Sequence, residues 1–161
     1  MLIDSHLHLV NEDYNIDEVI KRANDNGVKY LIVSGSDRID NFLNIELLSN
    51  YDNIFFSVGF HPDCAGKVGD EDFSRLEKLI LNKKVVAIGE IGLDYFHDKS
   101  NKDSQKELFV RQLEIAEKYD LPVVIHTRDA FLDTYHILKE HDVKGVIHCF
   151  SGSLETAKIY I

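Results

Sequence analysis

Two hydrophobic periods take turns along this chain. Short apolar runs with the two-residue period of a strand give way to stretches whose apolar residues recur every three or four positions, as on one face of a helix. Leu2 to Leu9 reads as a first strand, and Ile16 to Asn26 as a helix with Val19, Ile20 and Ala23 on one face. Gly27 stops that helix. Tyr30 to Ser34 is a second strand, and Asp40 to Asn50 a helix carrying Phe42, Leu43, Leu47 and Leu48. Asn53 to Gly59 is a third strand, followed by a helix over about Glu71 to Leu81. Val85 to Ile91, Val123 to His126 and Gly145 to Phe150 are the remaining strands. Helices over Ser104 to Tyr119, Phe131 to Glu140 and Leu154 to Ile161 follow them in turn. The later strands are apolar on both faces, as in a buried parallel sheet.

Six strand–helix units build either an open doubly wound sheet or part of a closed eight-stranded barrel. The polar residues at the strand ends decide between them. The first strand runs into His6 and His8, the fourth into Gly89-Glu90, the fifth into His126 and the sixth into His148. Residues two apart on a strand share a face, so His6 and His8 can bind one ion together. Donors from strands one, four, five and six converge on one point in a ring, which a wide open sheet does not permit. The fold expected is therefore α/β, an incomplete TIM-type barrel in one domain over residues 1–161.

Composition narrows the function classes. The length of 161 residues suits one domain with a proper core. No apolar run approaches the length of a membrane span, and no basic region followed by an apolar stretch opens the chain, so a cytoplasmic protein is expected. Two cysteines, Cys64 and Cys149, make no disulfide framework and fit a reducing compartment. Cys149 follows a candidate ligand, yet a buried apolar thiol is the expectation. A net charge of −10 argues against a broad basic groove gripping nucleic acid by its phosphates. It leaves room for phosphate chemistry in which carboxylates gather cations and the cations neutralise the substrate.

Five segments carry a resemblance: Asp4-Ser5-His6-Leu7-His8, Gly59-Phe60-His61-Pro62, Gly89 to Tyr95, Leu121 to Ala130, and Ile147 to Gly152. In order and spacing the chain resembles the TatD family of metal-dependent deoxyribonucleases, within the amidohydrolase-like barrel superfamily. The resemblance implies that His6 and His8 bind one divalent ion, that Glu90 bridges, and that His126 and His148 bind a second. Imidazoles and carboxylates suit Zn²⁺ or Mn²⁺, whereas Mg²⁺ prefers oxygen. It also implies a longer barrel, of which this chain carries the first six of eight units. The family's metal-binding aspartate, in an E-T-D-like segment, has no counterpart here, because Glu155-Thr156 opens a helix.

The remaining site residues have weaker claims. His61 is read as a substrate-phosphate contact, although His-Pro alone makes a turn. Asp94 either orients a ligand or binds substrate, and Asp4 suits a supporting role behind the ligands. Arg128 and Ser151 are candidate phosphate contacts, and Asp129 a helix cap. Gly89 and Gly92 are expected to make tight turns beside Glu90, while His97, His136 and His141 are read as surface residues. The resemblance implies hydrolysis of phosphodiester bonds in DNA, from an end. A small-molecule amidohydrolase is the alternative enzyme, disfavoured because Glu90 stands where a carboxylated lysine would. A non-catalytic chain that self-associates through exposed barrel edges is the third alternative.

Overall fold

The computed structural model describes residues 1–9, 15–96 and 100–161; His97 and Lys99 lie outside the described residues. Six strands, β1 (Leu2–Leu7), β2 (Val28–Ser34), β3 (Ile54–Val58), β4 (Val85–Asp94), β5 (Val123–Arg128) and β6 (Gly145–Ile147), form one sheet in chain order. Every pairing is parallel. The helices between and after them are α1 (Ile16–Asp25), α2 (Arg38–Leu48), α3 (Asp70–Ile80), α4 (Lys102–Tyr119), α5 (Phe131–Lys139) and α6 (Leu154–Ile159). Among the described residues β1 pairs only with β2 and β6 only with β5, so the sheet is an arc. The half-barrel expected from the sequence is what forms. Among the described residues, no helix is long and apolar enough to cross a membrane.

Two boundaries differ in ways that matter for the site. β4 runs three residues past the expected Ile91, to Asp94, because it stays paired with β5 up to Asp94 and Arg128. β6 stops at Ile147, so His148 follows the strand, although its N–H still donates to the Ile125 carbonyl at 3.0 Å. The sequence pattern also gave no sign of the 3-10 turn at Pro62–Cys64.

Burial is greatest in the middle of the arc. Phe56, Ile88, Ile91, Leu93, Phe109 and Leu113 are essentially sealed from solvent, and each such side chain contributes about 1.5–3 kcal/mol. The outer strands are much less covered: Leu2, Ile3 and Val146 keep 60%, 55% and 45% of their surface.

Helix α2 departs from its expected packing. Phe42 and Leu47 point outward, and the buried face presents Asn41, Asn44 and Leu48. Strand ends beneath the helix expose backbone groups that need partners, and a carboxamide supplies both a donor and an acceptor. Asn41 accepts from the Gly59 N–H at 3.1 Å and donates to the Gly59 carbonyl at 2.6 Å. Gln112 on α4 does the same for Phe60, at 2.7 and 3.0 Å. Gln105, two turns earlier, pairs with Asp94 through two bonds of 2.9 Å. Three helix amides therefore continue the hydrogen bonding of the sheet past the ends of β3 and β4.

Two glycine and cap assignments change as well. Gly92 lies inside β4 at φ +138°, and a Cβ there would collide with the His126 carbonyl, so close strand packing is its reason. Asp129 does not cap α5: the cap residue is Ala130 with no side-chain bond, while Asp129 itself takes a left-handed φ of +53°.

Replacing Gln112 by Leu keeps roughly the same volume but leaves the Phe60 N–H and carbonyl unpaired. The variant should lose about 1–3 kcal/mol, seen as a lower urea midpoint with an unchanged slope. Phe42→Ala, which removes the larger apolar group from an exposed position, should stay within about 0.5 kcal/mol of the parent. Equal losses in the two variants would show that apolar area, not the amide pairing, stabilises this end of the sheet.

Candidate metal centre

The site residues sit at or just beyond the carboxyl ends of the strands, where a parallel α/β sheet collects its chemistry. His6 lies on β1 and His8 just after it, Glu90 and Asp94 on β4, and His126 on β5. His148 follows β6, and His61 enters the turn after β3. The register of β4 against β5 shifts between Gly89 and Ile91. A bulge of this kind re-aims one side chain, here Glu90, whose backbone N–H also reaches the Gly35 carbonyl at 3.1 Å.

Glu90 is the hub. Its carboxylate is 4% exposed as a residue, and each oxygen faces its own set of rings. Oε2 lies 3.3 Å from His6 Nε2 and 3.4 Å from His8 Nε2. Oε1 lies 2.6 Å from His148 Nε2 and 2.8 Å from His126 Nδ1, and those two nitrogens are 3.2 Å apart. The His6 and His148 rings stack with centroids 4.1 Å apart, so residues from the two ends of the arc meet over the carboxylate. Burial opposes the charge on Glu90, yet contacts with His126, His148, His6 and His8 outweigh it and hold the carboxyl far below its usual range.

These residues could hold divalent metal. Nitrogen and oxygen donors about 2.0–2.1 Å from a tetrahedral cation stand ~3.3–3.4 Å from each other, which matches the spacing of Oε2 from His6 and from His8. His6, His8 and Glu90 bring their donor atoms within 4.8 Å of one another, as do His61, Glu90 and His126. Around Oε1, His148 lies closer than His61. His61 Nε2 remains 4.0 Å from Oε1, and its Nδ1 is engaged with Asp63 at 3.2 Å.

Several supporting contacts were not visible in the sequence. Asp94, buried at 2%, holds His126 Nε2 at 3.0 Å and leaves Nδ1 directed at Glu90. It fixes the orientation of the His126 ring. The amide Gln105 fixes the Asp94 backbone in turn. Ser34 Oγ lies 2.9 Å from His6 Nδ1. The interior phase of Gln105 and Gln112 on an otherwise apolar helix face was the available signal for such amides.

Other expected site residues fall elsewhere. Arg128 places its guanidinium 3.8 Å over the Phe96 ring at the end of β5. Ser151 lines a cleft with Tyr95, Lys102, Thr127, Gly152 and Thr156. Asp4 is exposed and accepts from the His6 backbone N–H at 3.2 Å instead of reaching a ring. Cys149 is exposed, contrary to the buried thiol expected, and belongs to neither donor group. His141 is not a free surface residue but pairs with Glu117 at 3.2 Å.

Comparison with known proteins agrees with this geometry. A family model described as TatD related DNase matches residues 3–161. An uncharacterized metal-dependent hydrolase of Bacillus subtilis, YabD, is 45% identical over 98% of this chain and 64% of its own length. The crystal structure of YJJV, a TatD homologue of Escherichia coli, superposes with a TM-score of 0.90 at 35% identity, covering 99% of this chain and 64% of that one. A TatD family hydrolase of Entamoeba histolytica gives 0.83 at 29% identity, covering 98% and 60%. The chain thus spans a little under two thirds of the length of these relatives.

Protons compete with cations here, and the direction follows from the rings. The contact with Glu90 raises the pKa of His8 against burial. For His126, burial lowers the pKa but the Glu90 and Asp94 contacts raise it by more. Both rings keep a proton to higher pH than an ordinary histidine, so in the metal-free chain their contribution to stability is complete at low pH and fades as pH rises through the raised values. A cation must displace those protons. Calorimetric titration with Mn²⁺ should show tighter binding at pH 8 than at pH 6, with a heat that varies with the ionisation enthalpy of the buffer. Binding without proton release would contradict this assignment of the rings.

Proposed function

We propose that this chain, which belongs to the TatD related DNase family, carries the metal centre of a divalent-metal-dependent hydrolase that cleaves phosphodiester bonds of DNA from an end. The observation that carries the reading is the single buried carboxylate of Glu90, flanked on both oxygens by imidazoles from β1, β5 and the segment after β6. The relatives named metal-dependent hydrolases support the reaction class, and the family description supports the substrate.

His6, His8, Glu90, His126 and His148 would hold divalent ions, which would supply charge to the phosphoryl oxygens and make a nearby water a better nucleophile. The remaining groups position and complement the substrate. Glu90 stays anionic and shared between the two halves of the site, and Asp94 keeps the His126 ring in the orientation that faces it. Burial lowers the pKa of His61, and the neighbouring His126 adds to that effect, so His61 meets a phosphate as a neutral imidazole. In this reading Arg128, braced on Phe96, and Ser151, which lines a cleft with Thr127, contact phosphates further along the strand. With an overall charge of −10, the grip on DNA is local and metal-centred. A reducing, cytoplasmic setting suits two free cysteines.

The test begins with chelator-stripped protein. Mn²⁺ should raise the melting transition as its concentration rises, and the loaded chain should release mononucleotides from single-stranded DNA labelled at one end. Glu90→Gln should lose both the shift and, by at least roughly 100-fold, the nucleotide release. A Mn²⁺-stabilised chain that turns over amides or lactones but releases no nucleotide would favour the small-molecule hydrolase instead. No Mn²⁺ shift would remove the metal centre itself.

A further inference from the structure

Two serines interrupt apolar strand ends next to the site. Ser34 closes the run Leu31-Ile32-Val33, and Ser57 stands between Phe56 and Val58. They are in register on β2 and β3, each is 1% exposed, and their hydroxyl oxygens are 2.8 Å apart. Placing a hydroxyl there costs desolvation unless it is bonded. Ser34 Oγ spends its second contact on His6 Nδ1, at 2.9 Å. The Ser34 carbonyl accepts from Asn44 Nδ2 at 3.3 Å.

A hydroxyl both donates and accepts. A His6 ring whose Nε2 donates to Glu90 Oε2 accepts at Nδ1 from Ser34, which accepts from Ser57. When Nε2 gives its lone pair to a cation, the ring proton must sit on Nδ1. Ser34 then accepts from His6 and donates to Ser57, and neither hydroxyl has to move its oxygen.

We propose that Ser34, backed by Ser57, is a positioning residue that presents His6 to a divalent ion, its hydroxyl following the His6 ring between two tautomers. The inference rests on the metal-site reading above. A serine retained only for its small size would not make the His6 tautomer depend on it.

The test uses histidine-selective ¹⁵N NMR of the unmodified chain with and without Zn²⁺, together with calorimetric Zn²⁺ affinities. His6 should carry its proton on Nε2 without Zn²⁺ and on Nδ1 when saturated. Ser34→Ala should weaken Zn²⁺ binding by about tenfold or more and leave metal-free His6 as a mixture of tautomers. Ser57→Ala, which keeps the contact to His6, should weaken binding less. Unaltered affinity in Ser34→Ala, or a His6 proton on Nδ1 in both states, would overturn the proposal while the metal site stands. Failure of the unmodified chain to bind Zn²⁺ would overturn both. Should Ser34→Ala fail to fold, the tautomer switch in the unmodified chain decides alone.

Discussion

One buried negative charge organises this molecule. A carboxylate sealed from water is unfavourable by several kcal/mol unless donors or cations surround it, and nothing apolar in the core can meet that need. Glu90 therefore requires imidazoles from β1, from β5 and from the segment after β6 to arrive at one place. Those rings are in turn held by groups behind them. Asp94 holds His126, and Ser34 holds His6. Without the charge, the convergence of so many polar side chains would be a defect in the sheet.

The polar scaffold extends beyond the ligands by the same logic. Parallel strands end with backbone groups that the next loop cannot always pair, and in this fold those ends carry the chemistry. Asn41, Gln105 and Gln112 answer with carboxamides that lock Gly59, Asp94 and Phe60 from the helix side. The site is thus fixed from two directions. The sheet register sets the height of each donor, and the helix amides keep the strand ends from drifting.

Much of this was legible before any coordinates. The alternation of strand and helix periods placed all six units, because buried parallel strands and one-faced helices leave strong and different patterns. The candidate ligands His6, His8, Glu90, His126 and His148 were legible because each ends an apolar run, and the structure brings all five together. Periodicity fails where a polar group is buried for a backbone partner. It therefore placed Phe42 inward and overlooked Asn41, and it gave no role to Ser34 or Ser57. The family resemblance supplied the pairing of ligands with ions, which spacing alone does not contain. Side chains whose roles depend on loops were least legible: Asp129 takes a left-handed backbone instead of capping, and Ser151 lines a cleft beside the cluster.

The stacked rings of His6 and His148 make one further point. They come from β1 and from the segment after β6, and among the described residues those two strands do not pair with each other. Curvature and coordination would therefore be one variable. Flattening the arc would draw the two rings apart and open the donor set, while a cation that gathered the donors would pull β1 and β6 toward each other. A bound ion would act as the rivet of a bent strip, and the shape of the strip would set the grip on it.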